Sequence, residues 1–124
     1  MDTVHRTRIC PVEVTLAVIG GRWKPLILYH LRAGPQRFNA LRRLIPDATQ
    51  RMLTQHLRDL ERDGVIARTV HARVPPRVDY ALTALGESLV PLMEQMAAWG
   101  AAYRRPGMDA VPAADADEAL RQRA

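Results

Sequence analysis

The sequence predicts a mainly α-helical fold with a small β-hairpin (α+β), in the order of a winged helix-turn-helix followed by a long C-terminal helix. Three observations carry this. Short helices with clear start and stop signals fill the first half, the apolar period changes from helical to alternating after Gly64, and a heptad-like apolar seam returns after Thr83.

The elements follow in order. Cys10-Pro11-Val12-Glu13 starts a first helix, with proline at the first helical position and an acid in the first turn. Val12, Leu16 and Ile19 form its expected inner stripe, and Gly20-Gly21 ends it. A second helix begins at Trp23-Lys24-Pro25, carries Leu26, Ile27 and Leu31, and stops before Gly34-Pro35. Asn39 is the expected N-cap of a third, with Leu41, Leu44 and Ile45 inward, Arg42 and Arg43 outward, and Pro46 closing it.

Asp47-Ala48-Thr49 then opens the longest central helix, which runs through Asp63 with Gly64 as its stop. Leu53, Leu57 and Leu60 make its buried stripe, and Gln50, Arg51, Thr54, Gln55 and Arg58 its free face. Val65 to His71 and Val78 to Leu82 read as two strands joined by the turn Val74-Pro75-Pro76-Arg77. Thr83 caps a last helix in which Leu85, Leu89, Leu92, Met96, Trp99 and Tyr103 form the seam, with a kink expected at Pro91. Residues 1–106 are thus expected to be one domain, and 107–124, which lack periodicity, a disordered tail.

Composition narrows the class. The 124 residues are 48% hydrophobic and 25% charged, as in a single globular domain, and the formal net charge is +5. Seventeen of the 18 basic residues are arginine, a planar multi-donor cation suited to phosphate and guanine edges. Residues 32–77 hold 10 arginines against 4 acids, so the basic excess falls on the central helices and the hairpin. No stretch approaches the ~20 apolar residues of a membrane helix, and the N-terminus lacks the apolar core of a signal peptide.

The single cysteine excludes an intramolecular disulfide and a four-cysteine zinc site, which fits a cytosolic address. His5, His30, His56 and His71 lack the spacing of a metal site. A Cys10 nucleophile would need a second catalytic signature that the chain does not offer, and there is no Gly-rich phosphate loop. An enzyme, a cofactor and a metal are therefore not expected.

The free face of the central helix offers what a major groove requires. Glutamine pairs bidentately with adenine and arginine with guanine, and threonine can meet a base or a thymine methyl. Gln50, Arg51, Thr54 and Gln55 are the expected base readers, while Arg42, Arg43 and Arg58 are expected on phosphates. Solvated helix faces are polar in general, so the hairpin adds the second argument: Arg73 and Arg77 flank a proline-stiffened tip suited to the minor groove or the backbone.

The chain resembles the HxlR-type winged-helix transcriptional regulators, relatives of the MarR group, over nearly all of residues 10 to 100. The resemblance rests on Cys10-Pro11-Val12, Ile19-Gly20-Gly21-Arg22-Trp23, Leu26-Ile27-Leu28, Gly34-Pro35-Gln36-Arg37-Phe38, Leu53 to Glu61, Asp63-Gly64-Val65-Ile66, Val74 to Tyr80, Leu82 to Gly86 and Trp99-Gly100. It implies a homodimeric, sequence-specific regulator of double-stranded DNA, more often a repressor, acting on a pseudo-palindromic promoter site in the bacterial or archaeal cytoplasm. It also implies a dimer interface made by the N-terminal helix and the C-terminal dimerisation helix, and the seam independently suggests a helical partner. Lys24 departs from the family, which often has Ser or Thr there, and so does the central-helix opening Ala48 to Met52, where Ser and Lys are common.

Cys10 sits at the N-terminal edge of the first helix, where unpaired N–H groups and the helix dipole favour a thiolate, with His5, Arg6 and Arg8 adding positive charge. The resemblance implies a redox- or electrophile-sensing role at this position; the other reading is a small residue filling an interface gap. A small-molecule effector between Trp23, Tyr29, Trp99 and Tyr103 stays open, against their ordinary use in core or interface. So does a winged-helix protein-interaction module that does not read DNA.

Overall fold

Pro11 sets the first helical φ, and α1 (Pro11–Ile19) runs from an extended Cys10 to Gly20, whose N–H bonds Leu16 O at 2.7 Å. The computed structural model describes residues 9–104 and Pro106. Next come α2 (Trp23–Leu31), β1 (Gln36–Arg37), α3 (Phe38–Leu44) and α4 (Gln50–Arg62). The strands β2 (Ile66–His71) and β3 (Arg77–Leu82) follow, then α5 (Ala84–Glu87) and α6 (Val90–Tyr103). The expected tail 107–124 lies outside the described residues.

The core is made where three helices meet the sheet. Ile27, Leu28 and Leu31 of α2, Leu41 of α3, and Leu53, Leu57 and Leu60 of α4 are all 2% exposed or less. Val65, Ile66 and Tyr80 close it from the hairpin, and Met93 from α6, which packs on α2. Burying an aliphatic side chain of this size contributes about 1.5–3 kcal/mol, so the leucine stripe of α4 anchors that helix and leaves its other face free. Gly64, at φ +80°, then turns the chain from α4 toward β2.

The expected hairpin is present, and β3 also pairs antiparallel with β1, giving a sheet of order β1-β3-β2. This third strand was not expected, since Gln36-Arg37 has no strand signature of its own. Its pairing, Gln36 opposite Tyr80 and Arg37 opposite Asp79, moves the start of α3 as well. The chain passes directly from strand to helix with Arg37 as N-cap, so Asn39 is not the cap.

Departures in α1, α3 and α6 share one cause, apolar side chains left uncovered by this chain, and that at Pro91 has another. In α1 only Ile19 of the expected trio is buried, while Val12 and Leu16 are 62% and 57% exposed. In α3, Leu41 and Ile45 take the inward positions and Leu44 stays exposed. Pro91 does not kink a long helix but occupies the first turn of a new one, because Thr83 caps only α5 and the chain re-enters helix at Val90. Met93, outside the expected seam, is the buried residue of α6, while Leu92, Met96, Trp99 and Tyr103 face outward.

Candidate nucleic-acid interface

The turn between α3 and α4 is tight. Ile45 N–H donates to Leu41 O at 2.9 Å and Ala48 N–H to Ile45 O at 3.2 Å, closing α3 at Pro46. Thr49 Oγ1 then accepts from Met52 N–H at 3.1 Å, satisfying one of the free donors that begin α4. Arg22 reaches this turn from the start of α2, its guanidinium 3.7 Å from Asp47 Oδ2.

With the leucines of α4 fixed in the core, the opposite face is set by the 3.6-residue period. Gln50, Arg51, Thr54, Gln55 and Arg58 together line one open concavity of about 580 Å³. They are the five side chains that the spacing selects. Beside it, Asn39, Arg42, Arg43 and Pro46 line a second concavity of about 510 Å³ on α3. All four arginines in these two sets are exposed.

The wing separates two arginines that the sequence pairs. Arg73 stands exposed in the turn, where its own N–H donates to His71 O at 3.0 Å. Arg77 is the first residue of β3 and donates through Nε to Asp79 Oδ1 at 3.0 Å, while His71 Nε2 lies 3.1 Å from Asp79 Oδ2. The bond from Arg77 outweighs partial burial and, with His71, holds the Asp79 carboxyl below the usual carboxylate range. The wing is therefore a cationic tip on an ionised, cross-linked base.

Asp59 plays a similar part on α4. It accepts from Gln55 Nε2 at 3.1 Å and from Arg62 at 3.0 Å, and Lys24 Nζ of α2 lies 3.5 Å away. Partial burial pushes this carboxyl up, but the Gln55 hydrogen bond and then the Lys24 and Arg62 charges outweigh it and hold it low. Sequence reasoning missed both acids. The i,i+4 spacing of Gln55 and Asp59, and the i,i+2 spacing of Arg77 and Asp79 on one strand face, were the available signals.

Cys10 is exposed at the N-cap of α1; His5, Arg6 and Arg8 lie outside the described residues. The four aromatics weighed for a ligand site differ in exposure. Trp23 is 3% exposed in the core, whereas Trp99 and Tyr103 stack on each other in the open, centroids 5.0 Å apart. Tyr29 lies under the Arg32 guanidinium at 3.9 Å. Among the described residues no group of three His, Cys, Asp or Glu is placed to hold a metal ion, and no helix is long and apolar enough to cross a membrane.

A helix-turn-helix with a basic free face, backed by a winged sheet, is an arrangement that places a helix in a major groove. Residues 18–108 match the family model described as HxlR-like helix-turn-helix. The chain belongs to the HxlR-like helix-turn-helix family. Its relatives include the uncharacterized HTH-type transcriptional regulator YdeP of Bacillus subtilis (strain 168), 56% identical over 95 residues that span 77% of this chain and 74% of YdeP. Among solved structures, the redox regulator HypR in its oxidized form shares 52% identity at a TM-score of 0.75, over 77% of this chain and 99% of that one. The reduced form of the transcriptional regulator YodB from B. subtilis is 35% identical with a TM-score of 0.67, covering 80% and 98%. This HxlR-like protein is a DNA-binding transcriptional regulator, and its winged fold is the one the sequence predicts.

Proposed function

We propose that the protein acts as a homodimeric repressor on a pseudo-palindromic promoter site, with one α4 from each copy entering successive major grooves about 34 Å apart. Gln50, Arg51, Thr54 and Gln55 read base edges; Arg42, Arg43 and Arg58 hold phosphates; Arg73 and Arg77 act through the wing. The observation that carries this reading is the single concavity lined by all five free-face residues of α4, opposite a fully buried leucine stripe. Residues 1–106 act as one DNA-binding and dimerisation domain, α1 and α6 supplying the interface, and the protein works in the cytoplasm.

The test is fluorescence anisotropy on duplex DNA from the protein's own upstream region, with excess random duplex as competitor. Arg51→Ala is expected to cost about 1–3 kcal/mol and to relax preference at one base pair. An equal loss on every duplex would make Arg51 a phosphate contact, and complete loss to competitor would remove this DNA as the operator.

A second reading adds a thiol switch. It is favoured by the exposure of Cys10 at the edge of α1, a helix with an uncovered apolar face, and by the redox function in the name of the solved relative HypR. Two Cys10 thiols from two copies would form one S–S bond, passing two electrons and two protons to an oxidant such as diamide; an electrophile would instead alkylate one thiol. Either event would change how the two α4 helices are spaced. Cys10→Ser is expected to keep DNA binding and lose the oxidant response; a response that survives the change excludes the cysteine.

A further inference from the structure

We propose that Asp59 is a positioning residue that fixes the Gln55 amide for reading adenine. The inference rests on the reading of Gln55 as a base contact, and extends it to a residue that touches no DNA. Gln55 Nε2 donates to Asp59 Oδ1 at 3.1 Å, one helical turn further along α4. The Asp59 side chain is only 18% exposed, and its second oxygen faces Lys24 Nζ of α2 at 3.5 Å, with Lys24 itself 14% exposed. Arg62 Nη2 lies 3.0 Å from the same Oδ1 that accepts from Gln55. The carboxylate is thus held from both α2 and α4, while Gln55 projects into the concavity with Gln50, Arg51, Thr54 and Arg58.

The chemistry follows from what each group can do. An ionised carboxylate only accepts hydrogen bonds, so the Gln55 amide must turn its NH₂ toward Asp59; the flipped amide would set oxygen against oxygen. One N–H is taken by Asp59. The second N–H and Oε1 remain, side by side, as a donor and an acceptor facing outward. Adenine offers N7 as acceptor and N6–H₂ as donor on its major-groove edge, the complement of that pair, whereas guanine offers two acceptors. The amide is also ordered before DNA arrives, which reduces the entropy lost on binding.

The experiment is selection of bound duplexes from a pool with a randomised central segment, sequenced for the wild type and four variants, with thermal denaturation of each. Wild type is expected to enrich adenine at one position of each half-site, by about tenfold, within the range a bidentate pair supplies. Gln55→Ala should lose this enrichment. Asp59→Asn, which can donate as well as accept and so lets the amide flip, should bring it down to about twofold while positions read by Arg51 keep theirs. Thr83→Ala, which removes bonds to Gly64 O and Gly86 N–H remote from α4's free face, is the control for lost stability and should leave the profile unchanged. If Asp59→Asn unfolds the chain by stranding the Lys24 charge, the charge-balanced pair Asp59→Asn with Lys24→Met is scored by the same enrichment. Adenine enrichment that persists in the Asp59 variant overturns the proposal, and so does equal flattening by Thr83→Ala. An unchanged profile in Gln55→Ala overturns the base-reading role itself, a result distinct from both.

Discussion

Arg77 donates through Nε to Asp79 Oδ1 at 3.0 Å, and this bond lays the guanidinium along the face of β3 rather than at the wing tip. That bond occupies Nε and not the two terminal nitrogens, whereas Arg73 stands exposed in the turn. The two arginines should therefore fail differently. Arg73→Ala is expected to weaken binding about equally on all duplexes and to lower the slope of log K against log salt by about 1. Arg77→Lys keeps the charge and the slope but loses the planar fork, so affinity falls at constant salt dependence. Anisotropy titrations over a salt series check both; an unchanged slope in Arg73→Ala would remove the tip from the interface.

Acid should unfold the protein through identifiable groups. Asp59 and Asp79 both sit below the ordinary value of 3.8, so the folded chain binds fewer protons than the unfolded one. Their contribution is complete above that value and is lost as pH falls through the depressed ones. His30 gives an earlier step. Burial, then the Arg32 charge, lowers it from 6.5, so stability is full above 6.5 and declines as pH drops below it. Urea midpoints measured over this range should show two declines, and His30→Gln should remove the upper one only.

Gly86 is a packing constraint rather than a flexible joint. A Cβ built there would stand 2.0 Å from Val65 O, where α5 crosses the end of β2. Thr83 supports the same crossing, accepting from Gly86 N–H at 3.1 Å and donating to Gly64 O at 2.6 Å. Gly86→Ala is expected to lower the unfolding free energy by about 1–3 kcal/mol, since Val65 O is backbone and must move. Urea denaturation measures it, and a midpoint equal to wild type would show that α5 shifts freely.

Local pattern made some elements legible and long-range pairing hid the others. Leu53, Leu57 and Leu60 at helical spacing, closed by Gly64, define α4 and hence its free face without any tertiary information. The same holds for the hairpin, where the period changes within a few residues. β1 exists only because Tyr80 and Asp79 present an open strand edge to Gln36 and Arg37, and a two-residue strand has no pattern to read. The Lys24–Asp59 pair joins helices far apart in sequence, so the roles of both charges stayed hidden. In α1 and α6 the apolar periodicity was real, but periodicity alone does not say whether the covering surface belongs to the same chain.

That last point yields the prediction on assembly. On α6, Leu92, Met96, Trp99 and Tyr103 are 39%, 45%, 68% and 50% exposed, and on α1 Val12 and Leu16 are more exposed still than Leu92. Large apolar residues recurring at helical spacing on two helices amount to a surface that water solvates poorly and a second copy would cover. Met96 lies within the α6 stripe. Met96→Glu would place one carboxylate from each copy in that interface, where burial without a partner disfavours the charge. For the dimer proposed above, the dissociation constant from sedimentation equilibrium should rise about hundredfold or more, ~2.7 kcal/mol. Operator affinity should fall with it, because a monomer offers one α4 instead of two, while the circular dichroism of the folded protomer stays that of wild type, as Met93 still holds α6 to α2. A Met96→Glu protein that remains dimeric and binds DNA normally would move the interface off this face of α6.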